Sequence, residues 1–313
     1  MPQFSIITAV LNRRDTILRA LKSVSPRLQG VSEIEHIVID GGSTDGTLEV
    51  LSSWPGLVLV CEPDKNLYDA WNKGIALSTG EIVVLLNSDD ELPGGTLTAV
   101  ARIFSEYPDC DLVSGAVEMI TPSWSRDVYA CRIDAPKFLT LREQDIVAGI
   151  TLTNARFLRR SVFQRIGIFD VRFPIVSDRD FLMRTLLGRV VNVSTKQVLY
   201  RYHCHDGSLT FSGDRAAIPI ALDSLQASRT RLAECSAVPA LNSYRRWHAW
   251  SSFYASWALL CRGQWRSSSR ILLDSTKLDP FWIARVLPIL VRHVSERRAR
   301  RGSPSDSYPL QIE

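Results

Sequence analysis

Carboxylates stand in this chain where apolar runs stop. Asp40 directly follows IEHIVI and opens the turn DGGSTDGT. Glycines after such a run let the backbone approach a ligand closely, and the aspartate can accept a hydrogen bond from a ribose hydroxyl or a base N–H. Any tight strand-to-helix turn also uses glycine, so this motif alone decides nothing. Asn87-Ser88-Asp89-Asp90 follows IVVLL in the same way. Adjacent carboxylates repel, and each favours solvent or a cation. Hard oxygen ligands suit Mg²⁺ or Mn²⁺, with a diphosphate completing the coordination shell. The competing reading is a solvated acidic turn that caps the next helix. A third acidic run, Ser177-Asp178-Arg179-Asp180, comes later in the chain.

The surrounding sequence predicts what positions these groups. Residues 4–11, 34–39, 57–61 and 82–86 are short, β-rich apolar runs, the pattern of strands covered on both faces. Between them, 15–24, 44–54 and 67–77 carry helical spacing, the second with a cap at Ser43 or Thr44 and Asp45 in its first turn. Strand and helix in strict alternation imply an α/β fold with a doubly wound, mostly parallel sheet. Ligands of such sheets sit beyond the carboxyl ends of the strands. Residues 9–12, 40–43, 62–64 and 87–90 fall there, so the polar groups converge where a crevice is expected. Further strands are predicted at 112–120 and 190–202, and helices at 161–166 and 180–187.

Taken in order, FSIITAVLNR, IEHIVIDGGSTDGT, EPDKNLYDAWNKGIALSTGEIVVLLNSDDEL and SDRDFLMR resemble the family 2 glycosyltransferases over about residues 3–210. The resemblance implies the GT-A fold and an inverting transfer from a nucleotide-sugar donor, a UDP-sugar by default. The product class would be hexosyl or N-acetylhexosaminyl transfer to a glycan or lipid-linked acceptor in cell-surface polysaccharide synthesis. By the same match, Ala9, Asn12 and Arg13 line the nucleotide pocket and Asp40 reads the base. Asp64, Lys65 and Asn72 close over base and ribose. Asn87-Ser88-Asp89 stands at the DxD motif, with Asp89 as metal ligand and Asp90 beside it. Asp178 aligns with the general base, and Asp180 supports it or caps its helix. In YRYHCHDGSLT, His205 is the better match to a metal or diphosphate contact, with His203 competing. The chain departs from the family twice, with Gly41 where a second acid is common and Asn87 at the first DxD position.

Composition sets the outer limits. The 313 residues carry a formal charge of +4, too little to argue for nucleic acid as a partner. Six cysteines lack CxxC or zinc spacing, which reads as free thiols in a reducing compartment. No signal-peptide pattern opens the chain and no run is long enough to cross a bilayer, so the expectation is a cytoplasmic protein. The expected layout is a catalytic domain over 1–225, divided into a nucleotide half (1–95) and an acceptor half (96–225). A helical, basic, aromatic-rich extension follows over 226–302, then a disordered tail over 303–313. Most aromatics of the extension are expected in its core. PFWIARVLPILVRHVSERRARR joins an apolar face to arginines, the pattern of a helix lying on a membrane surface. Rival readings are a sugar nucleotidyltransferase, which lacks its glycine- and basic-rich triphosphate loop here, and a dinucleotide-dependent oxidoreductase, which lacks GxGxxG. A catalytically silent nucleotide-sugar-binding or scaffold protein is the rival from another class.

Overall fold

The computed structural model describes residues 3–122, 127–149, 152–205 and 214–300. The tail expected at 303–313 lies outside the described residues. Two compact units make up the chain, the first comprising 1–142 and 151–204 and the second 143–150 and 205–313.

In the first unit, β1 (Phe4–Val10), α1 (Ile17–Ser23), α2 (Pro26–Gln29), β2 (Ile34–Asp40), α3 (Thr47–Ser53), β3 (Leu57–Cys61), α4 (Leu67–Leu77) and β4 (Ile82–Leu85) follow one another. The strands of this half run parallel in the spatial order β3-β2-β1-β4. Every residue of β1 and β4 is buried, because helices cover both faces and no position can be polar and solvated. Close packing fixes Gly74 of α4, where a Cβ would come within 2.3 Å of the Ile7 side chain. The turn DGGSTDGT stays open longer than expected, so α3 starts at Thr47 with Gly46 as its N-cap at φ 95°. Asp45 caps from one residue earlier, accepting from the Thr47 N–H at 3.0 Å.

The second half of the sheet is mixed. After α5 (Thr96–Glu106) come β5 (Leu112–Pro122), β6 (Asp127–Ile133), α6 (Pro136–Leu139), α7 (Glu143–Ala148), β7 (Arg156–Arg159), α8 (Arg160–Ile166), α9 (Ser177–Leu187) and β8 (Asn192–His203). β7 lies antiparallel between β4 and β5, and β5 also pairs with β6 and with β8. The resulting α/β architecture is the GT-A type. β6, β7 and α5 were not evident in the sequence. β7 is a four-residue strand, RFLR, whose flanking arginines hide its apolar centre from any period count.

The second unit contains α7 with α10 (Asp214–Glu234), α11 (Val238–Cys261), α12 (Trp265–Leu278) and α13 (Trp282–Arg300). The boundary expected at 225 falls inside α10, and the units part after Cys204. The reason is packing, since α10 continues past 225 with Ala221, Leu225 and Ala255 in one cluster. Small hydroxyls let these helices approach. Ser224 bonds Ser251 at 2.8 Å and the Trp247 indole N–H at 2.8 Å, and Ser275 donates to Ser252 at 2.7 Å. Trp247 and Tyr244 are buried as expected of core aromatics, but Trp257 and Trp265 stand exposed.

His36 is fully buried in β2, its Nε2 3.0 Å from the Thr8 hydroxyl, and burial lowers its pKa from 6.5 to about 4. The unfolded chain therefore binds a proton between pH 6.5 and 4 that the folded chain refuses. Folding stability should fall as pH drops through that window, by up to about 3 kcal/mol from this group. Thermal unfolding from pH 7 to 4 measures the loss, and His36→Gln should flatten the curve.

Candidate functional site

Three loops at the carboxyl ends of β1, β2 and β4 are stitched into one platform. Asn12, at φ 52°, donates its backbone N–H to Ser43 Oγ at 2.8 Å and accepts from the Thr44 N–H at 2.9 Å. The next two N–H groups continue the seam, Arg13 to Thr47 Oγ1 at 2.9 Å and Arg14 to Asp45 Oδ2 at 3.1 Å. Asn12 thus holds loops together instead of offering its amide freely. Arg13 reaches the third loop, its Nε 3.8 Å from the Asp89 carboxylate, while Arg19 donates to the Asp89 carbonyl at 3.3 Å. Ala9 closes this floor, 8% exposed and paired with Ile39.

Asp40 sits at the head of that floor with no exposed surface. Its Oδ1 accepts from the Gly42 and Ser43 N–H groups at 2.9 and 2.7 Å, and the Cys61 thiol lies 3.6 Å away. Its Oδ2 is buried with no hydrogen-bond partner among the described residues. A buried carboxylate oxygen in that state is costly unless a ligand N–H or O–H fills it. Asp64 stands beside Gly41, where a Cβ would lie 3.1 Å from its Oδ2, and accepts from Lys73 at 2.6 Å. Lys73 also pairs with Glu62 at 2.9 Å. Burial opposes its charge, yet these two carboxylates raise its pKa above the ordinary lysine value. An acidic residue at 41 would crowd a second carboxylate against Asp64, which gives Gly41 a local reason.

Asp90 differs from the expectation. It is fully buried, and both oxygens are taken. Oδ1 accepts from the His203 N–H at 2.8 Å, and Oδ2 from the Tyr200 hydroxyl at 2.7 Å and the Asn87 amide at 3.0 Å. Burial, then the charge of Asp89, push its carboxyl up to about 7. It sets the loop from inside rather than presenting a free oxygen to a metal. Asn87 is recruited to the same task, and an aspartate there would set a like charge against a buried carboxylate. Ser88 is buried between them. Asp89 retains 19% side-chain exposure and is the carboxylate of the run that reaches the surface. Among the described residues no group of three or more His, Cys, Asp or Glu is arranged around a common metal position. The donor set fits a hard cation that takes one protein carboxylate and fills its shell with diphosphate oxygens and water.

The segment from Asp64 to Asn72 connects this floor to the later acidic run. Lys65 is exposed, its backbone N–H on Asp69 at 3.0 Å. Asn66 caps α4 and donates to the Val171 carbonyl at 3.0 Å. Asn72, expected near the base and ribose, instead spends both ends of its amide on Phe169, donating at 2.8 Å and accepting at 3.0 Å. These bonds pin the chain leading into α9. There the Tyr68 hydroxyl donates to the Ile175 carbonyl at 2.8 Å and stands 3.2 Å from Asp178 Oδ1. Asp178, half-buried, also accepts from the Arg179 N–H at 2.7 Å. Val176 is the N-cap, and both acids lie in the first turn of α9. Asp180 is fully buried and pairs with Arg184 at 2.9 Å. His205 opens the second unit. His203 touches the site through its backbone N–H on Asp90 and through its ring, 3.8 Å from Glu91.

Tyr200, Tyr68 and Lys73 were missed by sequence reasoning. Tyr200 meets Asp90 across 110 residues, and nothing local marks such a pair.

Comparison with known proteins is decisive at this point. The sequence profile described as Glycosyl transferase family 2 matches residues 5–167. The chain belongs to the family 2 glycosyltransferases. A "PGL/p-HBAD biosynthesis glycosyltransferase" of Mycobacterium bovis (strain BCG / Pasteur 1173P2) is 31% identical over 189 residues, covering 58% of this chain and 69% of that protein. The fold resembles residues 1–349 of S. aureus TarS, with a TM-score of 0.59 at 19% identity over 100% of this chain and 95% of that one. Against a longer TarS chain, this chain spans 42% of its length. The mannosyltransferase PcManGT of Pyrobaculum calidifontis, in complex with GDP-Man and Mn²⁺, gives a TM-score of 0.56 at 19% identity over 94% of this chain and 87% of that one. At these identities the structural likeness is one of fold.

Removing the Tyr200 hydroxyl leaves buried Asp90 without one donor and two other groups without an acceptor, since Asn154 and the Asn87 N–H also bond to it at 3.0 and 3.2 Å. Tyr200→Phe should cost roughly 1–3 kcal/mol of stability. It should also weaken nucleoside diphosphate binding about tenfold, a loss near 1.4 kcal/mol. Calorimetric titration with UDP and thermal unfolding check both, and an unchanged variant removes Tyr200 from the site.

Proposed function

We propose that this glycosyltransferase moves a hexosyl or N-acetylhexosaminyl residue from a nucleotide-sugar, a UDP-sugar first, onto a hydroxyl of a glycan or lipid-linked acceptor in cell-surface polysaccharide synthesis. Transfer inverts the anomeric centre, and the enzyme works in the cytoplasm or against the inner membrane surface. The observation that carries the reading is Asp40, a buried carboxylate with one unsatisfied oxygen, on the same stitched platform as Asp89. TarS 1–349 in complex with UDP-GlcNAc and PcManGT with GDP-Man and Mn²⁺ support a donor of this class.

In this reading the free oxygen of Asp40 accepts an N–H from the base, and Arg13 shares its charge between Asp89 and the diphosphate. Asp64, Lys65 and the Lys73 pair flank base and ribose, while Asn12 and Asn72 hold the loops that shape the pocket. Asp89 would hold Mg²⁺ or Mn²⁺, which would lend Lewis-acid stabilisation to the leaving diphosphate. Asp178 takes the proton of the attacking acceptor hydroxyl, on the side opposite the leaving group. The Tyr68 hydroxyl beside it holds that carboxylate in place. The sugar passes through an oxocarbenium-like state, and a single displacement needs no covalent enzyme intermediate.

A panel of nucleotide sugars with and without Mn²⁺, read as nucleotide release, tests the proposal. At least one donor should turn over, and Asp89→Ala should abolish that turnover. Asp178→Asn should retain donor binding while transfer falls at least a hundredfold, within the range expected for a lost general base. Full transfer by this variant would move the base elsewhere, and failure of every donor would sink the assignment.

Asp40 also sets the polarity of base recognition. In Asp40→Asn, the amide oxygen can keep the Gly42 and Ser43 bonds, which leaves an NH₂ donor where the free acceptor was. Two donors then meet if a uracil N–H is the partner, so UDP affinity should fall by about a hundredfold or more, as when a buried polar pair is mismatched. Titration with UDP checks this, and retained affinity would show that Asp40 does not read the base.

A further inference from the structure

α13 carries two apolar faces. Trp282, Val286 and Leu290 turn one of them inward, packing with Ala249, Trp250 and Phe253 of α11. Ile283, Leu287 and Val291, spaced four residues apart, form a second stripe that is 59%, 56% and 66% exposed. Ala284 and Pro288 fill the gaps in this stripe and are exposed as well. A helix apolar on both sides is expected inside a large core or in contact with lipid. Here one side already has its partner within the unit, and the other does not need that unit for its packing. Phe281, just before α13, is 71% exposed.

The preceding helix of the same unit exposes charge. On α12, Arg266, Arg270 and Lys277 are exposed at spacings of four and seven residues, and Leu273 between them is exposed too. Trp265 is 62% exposed with the Arg266 guanidinium over its ring at 5.1 Å, and Trp257 on α11 is exposed too. Across 262–301 the sequence has ten Arg and Lys against three Asp and Glu. Two of the three acids are committed inside the unit, Asp279 to Arg285 at 2.7 Å and Asp274 beside Lys277 at 4.0 Å. α12 and α13 therefore expose both apolar and cationic side chains, with tryptophans of the kind that settle at the boundary between hydrocarbon and headgroup.

We infer that the exposed α12–α13 face of the second unit docks on an anionic lipid surface, lying in the headgroup layer without crossing it. No helix among the described residues is long and apolar enough to cross a membrane, which agrees with a helix that lies flat. Charge complementarity selects this occupant. Symmetric docking of a second copy through the same face would bring two cationic surfaces together. An anionic bilayer takes both features at once, with apolar side chains below the headgroups and arginines among the phosphates. This inference goes beyond the proposed transfer reaction and stands whether or not that reaction is assigned correctly.

Flotation of the full chain with vesicles tests it, using phosphatidylcholine alone or mixed with phosphatidylglycerol. The expected result is binding to the anionic vesicles, weakened by salt, with little binding to the neutral ones. The triple variant Arg266→Gln, Arg270→Gln, Lys277→Gln should reduce binding roughly hundredfold, at about fivefold per charge removed. Ile283→Gln with Leu287→Gln should also release the protein by more than tenfold, because apolar insertion is lost. All these positions are exposed, so circular dichroism and thermal unfolding should match the parent chain. No binding to anionic vesicles overturns the inference, as does binding that neither variant reduces. Dimerisation that Leu287→Gln abolishes, without vesicle binding, would identify a second copy as the occupant and overturn it as well. Nucleotide release measured on the same variants with a soluble donor keeps this outcome separate from that of the transfer reaction.

Discussion

Asp90 has no accessible surface and sits at the end of β4 among donors that carry no charge, the His203 N–H, the Tyr200 hydroxyl and the Asn87 amide. Burying a carboxyl group is tolerable only when its oxygens are bonded. Here the required bonds come from two places, the distant strand β8 and the same loop. Satisfying Asp90 therefore joins the parallel half of the sheet to the mixed half. It also fixes the backbone from which Asp89 projects. Glu91 and Arg201 extend the connection, bonding through backbone bridges and through a 3.2 Å side-chain pair.

From that anchor the rest of the platform follows. Asp89 meets Arg13 and Arg19 of the β1 loop and first helix, and the β1 loop is in turn sewn to the β2 loop through Asn12, Arg13 and Arg14. Most of these bonds use backbone N–H groups and short hydroxyl or carboxylate side chains, whose rotamer cost is small. A platform of that kind is set before any ligand arrives, which is the condition for binding without a large ordering cost. Against it, the open oxygen of Asp40 is conspicuous because the neighbouring polar groups have found partners.

The two departures from the family pattern have one electrostatic explanation. Gly41 lies against Asp64, and Asn87 lies against Asp90. In each case an acidic residue would add a like charge to a carboxylate already burdened by burial. The chain keeps neutral side chains in these two places and has its acidic side chains at Asp89, Asp40 and Asp178. In the second unit the balance is different, since cationic and apolar side chains share a surface and the unit's own packing is completed by serine-rich helix contacts.

The sequence by itself determined the parallel half of the sheet, because strands buried on both faces must be apolar throughout and helices between them must repeat every three to four residues. It also singled out Asp40, Asp89 and Asp178 as candidates, since they stand just beyond an apolar run or at the start of a helix and the ordered motifs match one family. It could not determine which of two adjacent acids is buried and which reaches the surface. Asp89 and Asp90 are the same residue type one position apart, and only the hydroxyl of Tyr200, far along the chain, makes one structural. Asn72 was likewise undecided until Phe169 took both ends of its amide. β7 was invisible because four residues between arginines carry no periodicity, and the unit boundary moved because helix packing, not composition, sets where α10 belongs. Local sequence fixes what a residue can do chemically, while burial and partners brought from elsewhere decide which of those options it is free to use.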